Sequence, residues 1–333
     1  MSNIQDVAAR ANVSITTVSR VLNSSLHRVN PRTRERVLKA IQELDYRPNA
    51  LARGLLMKKT MTIGVIIPDI SNHYYAEIVR GIQDVGDQHG YNIVLQNTDR
   101  RQERIVKSIY LLREKIVDGV IFSGGIIHGF EPLSALKELK DRVVVIGRHE
   151  ANFPAVLVDN IGGASQAVQH LADLGHQRIG FIGGPQASTT GADRLRGYQS
   201  ALAQNGYPTE AGLISLGNLT PRSGYEAARK LLGERDRPSA LFAANDLMAF
   251  GAVYAAREMS LQIPEDLAVV GFDNIPLSSY LVPSLTTVEI PMHSLGVAAM
   301  ETLIDLISRN PFEWMRWFKT RLIVRGSTAR NHL

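Results

Sequence analysis

The residues with the sharpest chemical spacing lie near the start of the chain, in Ser14-Ile15-Thr16-Thr17-Val18-Ser19-Arg20. On a helix, Thr16 and Arg20 stand four positions apart on one face, with Ile15 beside them. An exposed arginine there can donate two hydrogen bonds to guanine O6 and N7, a contact worth ~1–3 kcal/mol of base discrimination. Thr16 can bond a base edge, and Ile15 can pack on a thymine methyl. Ser14, Thr17 and Asn23 flank this face and suit phosphate oxygens, which position a helix on a duplex without reading it. The alternative is that these are ordinary exposed polar residues of a small bundle.

A second set of groups follows the apolar runs of the remaining chain. Tyr74 and Tyr75 come after Thr62–Pro68, Arg148 after Val143–Ile146, and Thr190 and Arg194 after Ile179–Ile182. Asn245 comes after Ala240–Phe242 and Asp273 after Leu267–Gly271. Loops at the carboxyl ends of strands in an open α/β sheet are where ligands bind. Arg194, Asn245 and Asp273 offer donors and acceptors suited to vicinal hydroxyls; equally, they can form ion pairs that hold two lobes together.

The elements that must carry these residues can be read from periodicity. Asn3 can cap a helix from Ile4 with Asp6 as its reciprocal partner, and Val7, Ala8 and Ala11 share a face with Ile4. Ala11-Asn12-Val13-Ser14 is a tight turn, after which Ser14 caps a helix burying Val18, Val21 and Leu22. Asn30-Pro31 starts a third helix with Val37, Ile41 and Leu44 inward. A short turn between two short helices fits a helix-turn-helix, whose second helix enters the major groove. From Met61 apolar strands alternate with amphipathic helices, one of them at about 76–89, which implies doubly wound parallel sheets in two subdomains. Pro311–Trp317 reads as a loop or turn holding both tryptophans.

Charge separates along the same line. Residues 1–60 carry eleven Lys/Arg against four Asp/Glu, a net of +7, whereas the rest of the 333-residue chain is at −2. A basic head on a near-neutral body points to a polyanionic partner for the head alone. With no cysteine in the chain there is no disulfide framework and no thiolate chemistry. Signal-peptide and membrane-spanning patterns are missing, so a cytoplasmic protein without membrane contact is expected. GxGxxG, GxxxxGK[ST], GxSxG and HExxH do not occur, and His73, His128, His149 and His176 are scattered. Neither an enzyme, a cofactor nor a metal site is expected.

The stretch Asp6-Val7-Ala8 … Ala11-Asn12-Val13-Ser14-Ile15-Thr16-Thr17-Val18-Ser19-Arg20-Val21-Leu22-Asn23 resembles the head of the LacI/GalR family. Tyr46-Arg47-Pro48-Asn49-Ala50-Leu51-Ala52-Arg53, Gly175-His176, Asn245-Asp246, Gly271-Phe272-Asp273-Asn274 and Arg325-Gly326-Ser327-Thr328 carry the likeness through the chain. The resemblance implies a transcriptional regulator, in most cases a repressor, acting on sugar or carbon metabolism genes as a homodimer on a near-palindromic operator. It implies a helix-turn-helix domain at 1–47, a hinge helix and linker at 48–60, and a periplasmic-binding-protein-like effector and dimerisation domain at 61–333. Within the last, an N-lobe takes about 61–160 and 291–321, and a C-lobe about 161–290 and 322–333. Ala52 and Leu55 become minor-groove hinge residues, Leu55 as a wedge that partly unstacks a base step.

The same likeness assigns Tyr74, Tyr75, Arg148, Thr190, Arg194, Leu219, Asn245 and Asp273 to a small-molecule effector, a sugar or sugar phosphate. Leu219 departs from the pattern, since many members have an aromatic residue there, able to stack on a ligand. Pro68-Asp69-Ile70-Ser71-Asn72 and Arg80-Gly81-Ile82 are similar to the catabolite-control branch, which implies, as the alternative, a phosphorylated phosphocarrier protein docking near Arg80 and Arg53.

Overall fold

The computed structural model describes residues 3–22, 29–46, 59–124, 130–139, 142–149, 152–185 and 187–328. The chain divides into two compact units, 1–60 and 61–333.

The first unit holds three helices, α1 (Ile4–Ala11), α2 (Ile15–Leu22) and α3 (Pro31–Glu43). Asn3 Oδ1 accepts the amides of Gln5 and Asp6 at 2.8 and 3.1 Å, while the Asn3 amide donates to Asp6 Oδ2 at 2.8 Å. This reciprocal cap satisfies donors that the first helical turn leaves orphaned. Asn12 ends α1 in the left-handed region at φ 50°, which asparagine tolerates better than most residues. The chain then turns back so that the Val13 amide reaches Ala8 O at 3.0 Å. Ser14 Oγ accepts the Thr17 amide at 3.2 Å and starts α2, and Asn30 caps α3 ahead of Pro31. Val7, Val18 and Val37 are fully buried at the centre. On α3 Val37 is buried and Ile41 and Leu44 pack half-buried against the core, as the stripe predicts, and the small Ala40 is buried with them. Ala8, Ala11 and Ala40 together form a thin core in which short helices approach closely.

The second unit contains two six-stranded sheets. The first is built from β1 (Thr62–Ile67), β2 (Asn92–Asn97), β3 (Gly119–Ser123), β4 (Val143–Ile146), β5 (Ala155–Val158) and β11 (Met315–Phe318). Its order is β11-β5-β4-β3-β1-β2, parallel throughout. The second uses β6 (Ile179–Gly183), β7 (Ile214–Leu216), β8 (Ala240–Ala243), β9 (Ala268–Asp273), β10 (Thr286–Glu289) and β12 (Arg321–Ile323), in the order β12-β10-β9-β8-β6-β7. Its edge strand β12 runs antiparallel to β10, a departure from an all-parallel sheet. Such antiparallel edges are common on doubly wound sheets. Strands β1, β3, β4, β6, β8 and β9 are buried almost end to end, which is why they read as continuous apolar runs.

The chain passes between the sheets three times, after Val158, after Glu289 and after Phe318. Helix α4 (His73–Gln88) packs along α11 (Met292–Ser308) on the first sheet, and α7 (Asn160–Asp173) packs on α8 (Thr189–Gln204) beside the second. At the α4–α11 crossing, a Cβ on Gly81 would lie 2.1 Å from His293 O, and one on Gly296 2.0 Å from Ile78 O. Only glycine fits at either position.

Two local expectations change. Helix α4 begins at His73, because Asn72 accepts the Tyr74 amide at 3.0 Å as its cap. Tyr74 and Tyr75 therefore sit in a first helical turn and not in a loop. Both tryptophans were expected in a loop or turn, but Trp317 lies in β11, whose Met315–Phe318 pair in register with Ala155–Val158. Trp314, just before that strand, accepts the Ala155 amide at 2.8 Å.

Candidate functional sites

On the first unit, Val18 and Val21 turn inward and leave Ile15, Thr16 and Arg20 exposed together on the outer side of α2. Ile15 is 45% exposed, an apolar side chain standing in water where packing on a base methyl is possible. Ser14 Oγ and Thr17 Oγ1 are 3.0 Å apart at the start of the helix. Asn23, Ala52 and Leu55 lie outside the described residues.

In the second unit the strand orders run β2-β1-β3-β4-β5 and β7-β6-β8-β9-β10, each with a reversal of direction beside β1 and β6. Crevices open at such switch points, at the carboxyl ends of the strands. One cleft lies between the two sets of strand ends, with about 800 Å³ of empty space between its walls, open mouth included. Tyr74, Tyr75, Thr190, Arg194, Leu219, Asn245 and Asp273 all line it.

Arg194 is the most constrained of these. Its Nε donates to Asn160 Oδ1 at 2.9 Å, and its Nη1 donates to Asp273 Oδ1 at 3.3 Å and also to Ala244 O. The guanidinium lies 3.7 Å over the Phe272 ring, and the residue is buried. Packing and hydrogen bonds thus fix one arginine between α7, β8 and β9, with its Nη2 free of partners among the described residues. Asp273 ends β9 at φ 112°, a conformation that L residues rarely adopt. Burial pushes its carboxyl above the usual carboxylate range, Arg194 opposes that rise, and Asp246 adds to it. Asp246 is itself fully buried and accepts from the Ile275 amide and the Ser278 and Thr287 hydroxyls, which braces the loop after Asp273.

Asn245 is partly engaged in structure. Its Oδ1 caps the next helix through the Met248 amide at 3.0 Å, and its Nδ2 reaches Leu219 O at 3.3 Å. Leu219 holds φ 67° and presents aliphatic surface to the cleft. Tyr74 and Tyr75 meet edge to face at 4.9 Å, and burial raises both phenols, so both remain neutral hydroxyls at pH 7. Arg148 is not among the cleft-lining residues, in contrast to its expected effector role. It forms a two-pronged pair with Asp193, Nε–Oδ2 3.0 Å and Nη2–Oδ1 2.9 Å, and its carbonyl accepts from Thr189 Oγ1. The pair spans from the end of β4 to α8, so Arg148 ties one sheet's flank to the other's.

The cleft also contains groups that sequence reasoning missed: Arg100, Ser123, Asn160 and Ser188. Arg100 and Ser123 follow or end strands β2 and β3, a signal available once those strands are placed. Ser188 caps α8, a role that alone accounts for its residue type, and Asn160 is the first residue of α7 after its cap Asp159. Among the described residues no cluster of potential metal ligands occurs, and no helix is long and apolar enough to cross a membrane.

Residues 3–49 match the bacterial regulatory proteins of the lacI family, and residues 168–328 a periplasmic binding protein-like domain. The chain is 42% identical to catabolite control protein A of Priestia megaterium over 92% of both chains. It is 38% identical to the ribose operon repressor of Halalkalibacterium halodurans, covering 98% of this chain and 97% of that one. Among solved structures it resembles the lac repressor dimer bound to operator and the anti-inducer ONPF, at a TM-score of 0.89, 29% identity and 99% coverage of each chain. It also resembles the transcriptional regulator CelR in complex with cellobiose, at a TM-score of 0.75 and 34% identity, over 98% of this chain and 100% of that one. The exposed face of α2, the cleft between two doubly wound sheets and these likenesses over nearly the whole length agree: the chain belongs to the lacI family of bacterial regulatory proteins and is a DNA-binding transcriptional regulator, not an enzyme.

Proposed function

We propose that this regulator is a repressor of sugar or carbon metabolism genes that acts in the cytoplasm. Two copies grip a near-palindromic operator with an affinity set by a small molecule in the cleft. Ile15, Thr16 and Arg20 read base edges, Ser14, Thr17 and Asn23 hold phosphates, and Ala52 and Leu55 work in the minor groove. The domain scheme of a head at 1–47, a hinge at 48–60 and a two-lobed body at 61–333 belongs to this reading.

One observation carries the effector role. The Tyr74, Ser123 and Thr190 hydroxyls and Arg194 Nη2 all belong to cleft-lining residues and make no hydrogen bond among the described residues. Polar groups gathered in a crevice and left open to solvent suit a polyhydroxylated ligand. A ligand that favours one lobe arrangement shifts operator affinity, typically by ~1–3 kcal/mol of coupling. The test is to recover bound sites from fragmented genomic DNA and measure affinity for the recovered operator and for random DNA with and without candidate sugars. Equal affinity for all duplexes, with or without ligand, sinks the proposal.

A second reading follows from the 42% identity to catabolite control protein A: a phosphorylated phosphocarrier protein docks at α4, near Arg80. The Arg80 side chain is 70% exposed, with Glu77 at 3.7 Å. Operator affinity raised by the phosphorylated carrier but not by sugars selects this reading.

A further inference from the structure

We infer that the cleft selects an anionic ligand, a polyhydroxylated molecule bearing a phosphate or carboxylate group, and that Arg100 is the residue that selects it. This rests on the cleft being the effector site. Two arginines and one aspartate line the cleft. The aspartate, Asp273, is already held by Arg194 in the wall built from the second sheet. Arg100 stands in the other wall, just beyond β2, in the left-handed region at φ 58°. Its charge faces the Tyr75 hydroxyl, a neutral group, and opposes the rise that burial gives that phenol. The neighbouring Asp99 does not neutralise it, because Asp99 pairs with Arg104 and accepts from Asn97 Nδ2 at 2.6 Å. Among the described residues Arg100 has no carboxylate partner.

The surroundings of Arg100 extend the case. Ser123 is 2% exposed, lines the cleft and makes no hydrogen bond among the described residues. A small recess of about 10 Å³, room for one water, adjoins Arg100 and is walled mainly by Pro68, Ile105 and Phe122, with Thr98, Ser123 and Gly124 completing it. The first turn of α4, through Asn72 and Tyr74, lines the same wall, and a helix N-terminus favours negative charge. A half-buried guanidinium that lines a cleft without a carboxylate partner is open to an anion. A phosphate or carboxylate engages it by two parallel hydrogen bonds and can accept from Ser123 at the same time. A neutral sugar leaves the cation uncompensated.

Calorimetric titration of the full chain with matched pairs tests this: ribose and ribose 5-phosphate, glucose and glucose 6-phosphate, glucose and gluconate. At least one anionic partner should bind tenfold or more tightly than its neutral counterpart, and the phosphate and carboxylate arms show which anion the cleft takes beside Arg100. Arg100→Gln should abolish that preference, and Arg100→Lys, which keeps the charge, should restore part of it. Neutral sugars binding as tightly as their anions, a preference unchanged in Arg100→Gln, or silence from every anion overturns the inference. Thr190→Val separates this from failure of the cleft reading. It should weaken neutral and anionic ligands alike; anions that bind regardless of both Thr190 and Arg100 occupy another site, and both readings then fall.

Discussion

Arg20 and Asp273 show two ways in which a single residue is made ready by its surroundings. Arg20 is exposed because Val18 and Val21 on the same short helix take the buried side. If it reads a guanine, Arg20→Ala should reduce the ratio of operator to random-DNA affinity by about 10- to 100-fold, the equivalent of ~1–3 kcal/mol. The ratio must be measured at one salt concentration, and a ratio left unchanged removes α2 from base readout. Asp273 is the opposite case, a carboxyl held out of water with its proton affinity raised by burial. The folded protein keeps that proton at pH values where the unfolded chain, with an ordinary carboxylate near pKa ~4, has released it. Binding more protons in the folded state makes stability fall as pH rises through the window from about 4 to the raised folded value, and level off above it. Urea midpoints of the ligand-free protein should follow this slope, and Asp273→Asn should flatten it. A slope that survives the substitution assigns it elsewhere, Asp246 being the next candidate, since burial raises its carboxyl also.

At the scale of elements, two features link packing to the working of the cleft. Helices α4 and α11 touch backbone to backbone at Gly81 and Gly296. Gly296→Val must push the helices apart, and overpacking of this kind costs ~1–3 kcal/mol. Thermal unfolding should show a fall of several degrees, larger than for a substitution at the exposed Ser294 on the same helix. Arg148 and Asp193 join the flanks of the two sheets beside the cleft, with side chains 43% and 10% exposed. Partial exposure limits such a pair to ~1 kcal/mol or less. If ligands bind the lobes in this joined arrangement, Arg148→Ala should weaken apparent ligand affinity by up to about fivefold without altering which ligand is preferred. Unchanged affinity in titration makes the pair incidental to lobe closure.

For the whole molecule, the segregation of charge decides where DNA binds. Residues 1–60 carry +7 and the remainder −2. The counterion release that makes DNA affinity fall with salt should therefore arise in the head alone. Removing residues 1–60 should abolish DNA binding at all salt concentrations, while the remaining 61–333 unit keeps ligand affinity within about threefold, as its separate compactness allows. Residual operator binding by the shortened chain, seen by fluorescence anisotropy, argues against a basic head as the only DNA contact.

Local rules were legible without the structure because their causes lie within a few residues. The Asn3–Asp6 cap, the turn at Asn12, the cap at Ser14 and the apolar strands β1, β3, β6 and β8 all follow from neighbours in sequence. Asn72 was an equally local signal for the start of α4, hidden because the two tyrosines after it look like loop residues. What depends on distant partners was not legible. Trp317 becomes a strand residue only because β5, some 160 positions earlier, offers an edge to pair with. Ala40 joins the expected stripe of α3 because the alanines of α1 let that helix lie close against α3. Arg148 meets Asp193, and Arg100 has no carboxylate partner among the described residues, through the meeting of two sheets joined by three chain crossings. Spacing determines which face a side chain shares; only tertiary packing determines which charges on that face meet and which remain free for a ligand.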